Sequence, residues 1–382
     1  MRMLLVILDG LADRPCKELK NKTPLEAAKK PNLDFLARNG KLYLMNVINE
    51  KIAPESDQGV LSIFGYDVFK IYTGRGPLEA YGDNVKFENG DVVVRCNFAS
   101  IKDNKIYHNR ILDIESMPTE KEIKLVEGIK MKNARFKRTV GHRGVLIINK
   151  KISPRVTNSH PGYKIVKNFV TTALPVKNQK LIQKTVFPLE NNAIETANII
   201  NEFIRKARNS LKNKTILTRG SGNKLPKLKL MEDWAVIADM PVERAIGKLA
   251  GMKVIKKPNS LNNIADVIKN ESKKRNVYVQ IKGPDAFAHK GDAVGKKKAI
   301  EEIDSGIIGR IKNMKNTLIV VTADHATPCN LMAHSNDAVP AIVYGAGKGN
   351  AREFSEKEAR IINRKIYGKQ LLDIVIKKHK TF

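Results

Sequence analysis

Three strongly apolar runs constrain the fold of this 382-residue chain more than any other feature. They cover residues 3–8 (Met-Leu-Leu-Val-Ile-Leu), 277–281 (Val-Tyr-Val-Gln-Ile) and 317–322 (Thr-Leu-Ile-Val-Val-Thr). A strand without polar alternation has both faces buried, as happens in a parallel sheet that is covered by helices on both sides. The runs are too short to span a membrane, which takes about 18 apolar residues. They predict central strands of an α/β protein.

Helical patterns lie near these runs. Thr23 and Pro24 have the residue types of an N-cap and of the first helical position. Helical spacing also predicts helices over residues 31–38 and 296–311, and a further strand is predicted over residues 341–344. The second of these helices carries one apolar face: Ile300, Ile303, Ile307 and Ile311. The order of strands and helices predicts an α/β core with a mostly parallel sheet flanked by helices.

The middle of the chain follows a different pattern. Between residues 81 and 173, short apolar runs such as 92–98 and 144–148 are separated by polar turns, and a long helix is predicted over residues 191–211. The predicted buried side of that helix is Ile194, Ala197, Ile200 and Phe203. This pattern is typical of an α+β unit.

The two patterns predict an insertion. A core domain would comprise residues 1–79 and 224–382, and a smaller α+β domain would comprise residues 80–223. The lysine-rich segment 212–229 contains Gly and Pro, which indicates a surface loop.

Composition limits the possible classes of protein. A hydrophobic content of 42% with 28% charged residues is typical of globular chains. The net charge of +30 raises the possibility of a nucleic-acid-binding protein, but the lysines are spread along the chain without a basic helix or an aromatic-interleaved stripe. The cysteines Cys16, Cys96 and Cys329 are scattered and odd in number, so no disulfide framework is predicted. We expect a cytoplasmic protein with no nucleic-acid or membrane partner, and the sequence predicts no oligomeric state.

Acidic and imidazole side chains follow the predicted strands. They are Asp9, Asp285, His289, Asp324, His325 and His334. Because ligands collect at the carboxyl ends of parallel strands, these side chains are expected to converge. Asp285 and His289 are four residues apart, which places them on the same face of a helical turn. Carboxylates with neutral imidazoles suit Zn, Mn or Co, and a set this large suits two divalent ions, the usual apparatus for phosphoryl transfer.

Ser56 is the candidate nucleophile. It lies between Pro54 and Gly59 and precedes the apolar stretch 60–64, so it is predicted to be the N-cap of a helix. Two roles remain open on the pattern alone. The hydroxyl either caps the helix or carries a phosphoryl group, which the amides of a helix N-terminus stabilise.

Six segments together resemble one protein family. They are Ile-Leu-Asp-Gly (7–10), Thr-Pro-Leu-Glu-Ala-Ala (23–28), Ala-Pro-Glu-Ser-Asp (53–57), Phe-Gly-Tyr-Asp with Tyr-Thr-Gly-Arg-Gly-Pro-Leu-Glu-Ala (64–80), Lys-Gly-Pro-Asp-x-x-x-His (282–289) and Thr-Ala-Asp-His-x-Thr-Pro (322–328). The chain is similar over essentially its whole length to the archaeal-type cofactor-independent phosphoglycerate mutases of the alkaline-phosphatase-like superfamily. The resemblance implies an isomerase that interconverts 3-phosphoglycerate and 2-phosphoglycerate through a phosphoserine, without 2,3-bisphosphoglycerate.

The resemblance also implies roles for individual residues. Asp9, Ser56, Asp324 and His325 would hold one divalent ion, and Asp285, His289 and His334 would hold the other, each ion being Mn, Zn, Co or Mg. The inserted domain would bind phosphoglycerate through Arg95, Asn97, Arg110, His142 and Arg143. The arginine fork suits both carboxylate and phosphate.

Two alternatives remain at this stage. A phosphatase or another phosphomutase of the same superfamily would use the same metal ligands but would differ in its substrate clamp. A basic nucleic-acid-binding protein with a decayed site would show salt-sensitive binding and no response to chelators. The complete ligand set argues against the second alternative.

Overall fold

The computed structural model describes residues 1–103, 105–108, 117–175 and 181–379. The chain divides into two compact units. Unit 1 comprises Met1–Val68, Lys229–Asp239 and Gly247–Phe382, and unit 2 comprises Phe69–Leu228 and Met240–Ile246. The predicted substrate-clamping domain over residues 80–223 remains a proposal.

Fifteen strands and fourteen α-helices are numbered in chain order within the described residues. The strands are β1 Arg2–Leu8, β2 Gly40–Asn46, β3 Asp91–Lys102, β4 Lys105–His108, β5 Ala134–Arg138, β6 Arg143–Lys151, β7 Tyr163–Lys167, β8 Val170–Ala173, β9 Lys214–Gly222, β10 Trp234–Ala238, β11 Lys253–Lys256, β12 Asn276–Ile281, β13 Thr317–Thr322, β14 Val339–Tyr344 and β15 Lys365–Tyr367. The helices are α1 Pro24–Ala27, α2 Pro31–Arg38, α3 Ser56–Ile63, α4 Val68–Ile71, α5 Arg75–Gly82, α6 Glu120–Glu127, α7 Ile194–Ser210, α8 Pro241–Leu249, α9 Leu261–Ser272, α10 Pro284–Ala288, α11 Ala293–Ile303, α12 Gly309–Ile311, α13 Glu356–Ile362 and α14 Gly368–His379.

Unit 1 contains an eight-stranded sheet in the order β11-β10-β12-β1-β13-β14-β2-β15. The strands from β11 to β13 are all parallel, whereas β14 runs antiparallel to both β13 and β2. The predicted α/β class with a mostly parallel sheet is confirmed. The predicted strand at residues 341–344 is present, but it is the antiparallel member.

The first predicted strand lies at the centre of this sheet. β1 pairs with β12 on one side and with β13 on the other, with Val6 opposite both Val279 and Val321. Its residues from Leu4 to Leu8 are completely or almost completely buried. Because the three neighbours are parallel and in this register, their carboxyl ends lie together at one edge of the sheet. The residues that follow them therefore start from adjacent positions.

The helices of unit 1 follow the predicted local signals. The Thr23 hydroxyl accepts a hydrogen bond from the Glu26 amide, and the Thr23 amide donates one to the Glu26 carboxylate, which makes a capping box with Thr23 as the predicted N-cap of α1. The predicted helix over residues 296–311 is α11, a π-helical turn at Asp304–Ile308 and α12 in succession, with its four isoleucines buried. Among the described residues, no helix is long and apolar enough to cross a membrane.

Unit 2 is built on an antiparallel sheet. Its strands run in the order β4-β3-β6-β5, and β9 also pairs with β3. Helix α7 packs on this sheet through Ala197, Ile200 and Phe203. Ile194, predicted on the same buried side, is 50% exposed because it is the first residue of α7 and lies beyond the packed turns.

A second prediction for unit 2 was wrong. The segment 212–229 was expected to be a surface loop, but residues 214–222 form the buried strand β9. The side chains from Thr215 onward are covered, because β3 pairs with β9 along its length. The lysines of the segment indicate an exposed loop, and the apolar residues of the strand are too few to outweigh that signal.

Candidate metal centre

The carboxyl ends of β1, β12 and β13 bring their acidic side chains together. Asp9 directly follows β1, Asp324 follows β13, and Asp285 lies in the first turn of α10, just beyond β12. The Asp285 amide donates to the Asp9 carbonyl oxygen at 3.1 Å, which ties the segments after β12 and β1 to each other. The sequence-distant aspartates thus form one acidic cluster, as the strand-end argument predicts.

Asp9, Asp324 and His325 form the first group of possible ligands. One ligand atom from each lies within 4.8 Å of the other two, and all three side chains are buried. The Nε2 atom of His325 is 3.2 Å from Oδ1 of Asp9 and 3.5 Å from Oδ2 of Asp324. The side chain of Gln280 donates to Asp324 at 3.0 Å and fixes that carboxylate.

Asp285, His289 and His334 form the second group. The Nε2 atoms of His289 and His334 are 3.3 Å and 3.7 Å from the Asp285 carboxylate. The His334 ring stacks on the His325 ring with 3.7 Å between their centroids, which places the two groups side by side. Ligand atoms of Asp285, His325 and His334 also lie within 4.8 Å of one another, so His325 borders both groups.

Each histidine is held through the same ring nitrogen. The Nδ1 atom of His289 lies 3.1 Å from the carbonyl oxygen of Met332, and that of His334 lies 2.7 Å from the carbonyl oxygen of Pro54. The Thr327 hydroxyl donates to Asp285 at 2.8 Å and can therefore only accept from Nδ1 of His325, 3.0 Å away. These partners place a proton on Nδ1 of all three rings, so that Nε2 of each ring faces the carboxylates. This is the arrangement that metal-binding imidazoles adopt.

Ser56 lies beside this cluster. Its hydroxyl oxygen is 3.3 Å from Nε2 of His325, and its side chain is 8% exposed. The prediction that Ser56 is the N-cap was wrong. Glu55, whose backbone is extended, occupies the N-cap position, and Ser56 is the first residue of the eight-residue helix α3. The hydroxyl therefore has no capping role and lies at the positive end of the helix dipole, where a phosphate is stabilised.

Two glycines allow the backbone segments of the centre to approach closely. A Cβ atom on Gly59 would lie 2.1 Å from the carbonyl oxygen of Asp324, so α3 packs against the segment after β13 only without a side chain there. Gly10 has a φ of +60°, and a Cβ atom on it would lie 2.6–2.8 Å from Thr327 and Asp285. A side chain at either position would displace residues of the centre.

The clustered charges shift the ionisation of the possible ligands. Burial and the adjacent Asp9 carboxylate raise the pKa of Asp324 to about 7. Burial opposes protonation of His325, but the carboxylates of Asp324 and Asp9 outweigh it and raise the pKa of His325 to about 9. Burial opposes ionisation of Asp9, yet contact with the Lys282 ammonium holds the pKa of Asp9 below its usual range. The cluster thus strongly attracts positive charge.

The donor set suits divalent cations. It offers three carboxylates, three imidazole Nε2 atoms and the Ser56 hydroxyl within one buried region. Mixed oxygen and nitrogen donors of this kind bind Zn, Mn or Co and, through the carboxylates, Mg. A cation would also replace the proton on His325, which the same carboxylates attract.

Unit 2 contains a cluster of opposite charge, named here the arginine cluster. It consists of Arg75, Arg95, Arg143 and Arg219 around the carboxylate of Glu79. Burial opposes ionisation of Glu79, but the four guanidinium groups hold the pKa of Glu79 below its usual range. Burial and the other arginines lower the pKa of Arg95 well below its usual range. The buried carboxylate of Glu243 also acts on Arg143, and the four arginines still outnumber the two carboxylates, which leaves net positive charge that suits an anion.

The arginine cluster contains part of the substrate site predicted from the sequence. Arg95 lies opposite Arg219 in the pairing of β3 with β9, and Asn97 lies opposite Arg143 in the pairing of β3 with β6. The side-chain amide of Asn97 is 3.2 Å from Nε2 of His142, which is also buried. Arg110, the other predicted substrate ligand, lies outside the described residues.

Sequence reasoning missed several residues of these two regions. Arg75 and Glu79 are on α5, within the segment 64–80 that was quoted for the resemblance, and their i, i+4 spacing signals an ion pair. Thr327 and Lys282 also lie in quoted segments, but their roles depend on contacts with Asp285 and Asp9 that spacing does not reveal.

The chain is similar in sequence to a known family. Residues 37–216 match the family model described as 2,3-bisphosphoglycerate-independent phosphoglycerate mutase. Proteins of that name from Methanobrevibacter smithii and Methanosphaera stadtmanae are each 32% identical to the chain. The first alignment covers 90% of this chain and 89% of the relative, and the second covers 94% and 93%.

The fold is also similar to solved structures. The PH0037 protein from Pyrococcus horikoshii superposes with a TM-score of 0.75 at 24% identity, covering 99% of this chain and 97% of that one. The cofactor-independent phosphoglycerate mutase from Thermoplasma acidophilum gives a TM-score of 0.58 at 24% identity, with 99% of each chain covered. These structures share the fold described above.

Proposed function

The chain belongs to the 2,3-bisphosphoglycerate-independent phosphoglycerate mutases, and we propose that it interconverts 3-phosphoglycerate and 2-phosphoglycerate through a phosphoserine. The observation that supports this mechanism best is the position of Ser56. Its hydroxyl lies at the N-terminus of α3 and 3.3 Å from His325, within a set of carboxylates and imidazoles. A serine so placed has the surroundings of a phosphoryl acceptor.

The residues of the candidate metal centre would hold two divalent cations. Asp9, Ser56, Asp324 and His325 would bind one, and the second group would bind the other: Asp285, His289 and His334. When bound, the cations would supply Lewis-acid activation of the serine hydroxyl and neutralise charge on the transferred group. Gln280 and Thr327 contribute by holding ligands in place.

The proposed reaction consists of two displacements. In the first, the Ser56 oxygen attacks phosphorus as its hydroxyl proton leaves, the bond from phosphorus to the C3 oxygen breaks, and that oxygen is protonated. In the second, the C2 hydroxyl of the retained glycerate loses its proton as its oxygen attacks phosphorus, the bond from phosphorus to the Ser56 oxygen breaks, and that oxygen is protonated. The α3 N-terminus stabilises the phosphoserine through its backbone amides. Water must be excluded between the two steps, because its attack would release phosphate.

The arginine cluster would bind the anionic substrate. A phosphoglycerate carries a carboxylate and a phosphate, and the fork of an arginine binds either of them with two parallel hydrogen bonds. The buried Nε atom of Arg143 has no hydrogen-bond partner within the described part of the chain, and the same holds for Oδ1 of Asn97. Such polar atoms are satisfied when a polar ligand binds. The arginines distinguish a mutase from a simple phosphatase, since a mutase must retain the glycerate.

The test is an assay that follows 3-phosphoglycerate, 2-phosphoglycerate and inorganic phosphate together, without added 2,3-bisphosphoglycerate. We expect the wild-type protein to form 2-phosphoglycerate, and Ser56→Ala to lower kcat by roughly 10⁴-fold or more. Ser305→Ala is the matched control, because Ser305 is exposed and its hydroxyl binds only helix carbonyl oxygens.

Two outcomes of this assay would contradict the proposal. Activity of Ser56→Ala within tenfold of wild type would exclude the phosphoserine mechanism. Release of inorganic phosphate in place of 2-phosphoglycerate would favour the alternative function, a metal-dependent phosphatase of the same fold.

A further inference from the structure

Two buried thiols lie together beside the metal centre. One ligand atom of each of Asp13, Cys16 and Cys329 lies within 4.8 Å of the other two, so the sulfur atoms are at most that far apart. Both cysteines are buried, with exposures of 5% and 4%, and both are free thiols. Apolar side chains surround them: Leu19, Ala288 and Ala293. The two thiols come from opposite ends of the chain, which makes their proximity a property of the fold.

The carboxylate in this group does not leave the thiols a third metal ligand. Oδ2 of Asp13 accepts from the buried Lys296 ammonium at 2.8 Å, and Oδ1 accepts from the Arg14 amide at 2.8 Å. The Cys329 amide approaches both oxygens, at 3.0 Å and 3.2 Å. A carboxylate neutralised by an ammonium and bonded to backbone amides gains little from binding a cation. Two thiols alone are fewer than the four ligands of a structural zinc site.

We propose that Cys16 and Cys329 form a reversible intramolecular disulfide when the chain meets a small-molecule disulfide such as oxidised glutathione. In the first exchange, one cysteine thiolate attacks the oxidant, forms a mixed disulfide and releases one glutathione thiolate. In the second, the other cysteine attacks the protein sulfur and releases the second glutathione. The two protein thiols are oxidised, one glutathione disulfide is reduced, and the two protons of the protein thiols end on the two released glutathione thiols.

The bond would join two segments that carry metal ligands. Cys16 lies in the segment that begins with Asp9, and Cys329 lies in the segment that carries Asp324 and His325. A disulfide between positions so far apart in sequence strongly restricts the unfolded chain. Oxidation would therefore stabilise the folded protein, and it would slow the separation of the two segments. The importance of this slower separation for metal binding rests on the proposed function.

The surroundings of the thiols slow the exchange. The hydrogen bond with Cys16, burial and the Asp13 carboxylate raise the pKa of the Cys329 thiol. Little thiolate is present at neutral pH, and a small oxidant reaches the sulfurs only through local opening. The disulfide should therefore form over hours in native protein.

The experiment incubates the native protein in glutathione buffers from fully reduced to fully oxidised, and then counts thiols after denaturation in acid. Wild type should change from three titratable thiols to one, and a peptide digest should contain a fragment that links Cys16 to Cys329. Cys96→Ser should still form the link, because Cys96 lies in β3 of unit 2. Cys16→Ser should keep both remaining thiols. The oxidised wild type should unfold roughly 5 °C higher than the reduced form.

Three results would overturn the proposal. The first is retention of all three thiols in the most oxidising buffer after prolonged incubation. The second is a stable mixed disulfide with glutathione, or a link between chains, in place of the internal bond. The third is a zinc ion that the reduced protein retains and Cys16→Ser loses, since this would make the pair part of a metal site. All of these measurements are independent of mutase activity, so they separate this proposal from the proposed function.

Discussion

The candidate metal centre and the arginine cluster bury charge of opposite sign in two different ways. In the metal centre, acidic and imidazole groups contact one another, and atoms such as the Thr327 hydroxyl and the Gln280 amide fix their orientation. In the arginine cluster, four guanidinium groups share the carboxylate of Glu79. The first region therefore holds excess negative charge that suits cations, and the second holds excess positive charge that suits an anion. In each region, a bound ligand of the opposite charge would reduce the repulsion between the buried like charges.

Removing cations should have the largest effect, because it leaves the acidic region uncompensated. We expect a strong chelator to lower kcat by roughly 10³-fold or more and added Mn²⁺, Co²⁺, Zn²⁺ or Mg²⁺ to restore it to different extents. Steady-state kinetics with metal analysis of the protein makes the measurement, and the same chelator preloaded with the cation is the control. Full activity in metal-free protein would show that the acidic region does not function through cations.

Removing the Glu79 carboxylate from the arginine cluster should increase the repulsion between its guanidinium groups. Glu79→Gln removes the carboxylate that all four arginines share, and we expect a loss of about 3–5 kcal/mol in the free energy of unfolding. Urea denaturation measures this loss, and inorganic phosphate should recover part of it by binding the arginines. Glu195→Gln is the control, because Glu195 pairs with Lys150 at the surface of the same unit. Equal stability of the two variants would mean that the arginines need no anion.

Thr327 tests whether orientation matters as much as charge in the metal centre. Thr327→Val removes the hydroxyl that fixes the tautomer of His325 and donates to Asp285, while leaving every carboxylate in place. We expect metal affinity to fall roughly 10–100-fold. Competition with a chromophoric chelator measures the affinity. Thr322→Val is the control, because that buried hydroxyl donates to the carbonyl oxygen of Pro340 and to no ligand of the centre within the described residues. A similar loss of metal affinity in both variants would show that the effect comes from packing.

Glu356 shows how unit 1 buries a carboxyl that is held mainly by hydrogen-bond donors. Burial raises the pKa of Glu356 to about 7, against 4.5 in an exposed chain, and the group accepts hydrogen bonds from the Asp13 amide and the Thr23 hydroxyl. Below pH 4.5 both states are protonated. As the pH rises towards 7 the unfolded chain loses the proton first, so the native state loses stability across this window.

Glu356→Gln should remove this part of the pH dependence. We expect the free energy of unfolding of wild type to fall by an additional amount of roughly 2–3 kcal/mol, relative to the variant, between pH 4.5 and pH 7. Urea titrations at several pH values measure the difference. If the free energy of unfolding varied with pH in the same way in both proteins, the pKa of Glu356 would be the same in the folded and unfolded states.

The sequence predicts regular and local features well. Apolar runs predict β1, β12 and β13, and the end of each strand locates Asp9, Asp285 and Asp324, because parallel strands present their carboxyl ends at one edge. The spacing of Asp285 and His289 also predicts the helical turn that joins them. These features depend on periodicity and direction, which a sequence carries directly.

Features that depend on pairing partners were not predictable. Strand β9 was interpreted as a loop because its burial comes from β3, more than a hundred residues earlier. The cap of α3 shifted from Ser56 to Glu55 because the backbone turns one residue earlier than the pattern suggests. Glu79 and its arginines come from α5, β3, β6 and β9, and only the folded sheet assembles them.

The central position of β1 has a consequence for biosynthesis. The ribosome makes this apolar strand long before its two neighbours in the sheet, β12 and β13, which are more than 260 residues away in the sequence. Unit 2 is nearly continuous in sequence and can complete its own sheet while the rest of the chain is being translated. The apolar β1 segment therefore lacks its sheet neighbours until residue 322 has been synthesised. Because these contacts join segments so far apart in sequence, we expect the docking of β1 to be a slow step of folding.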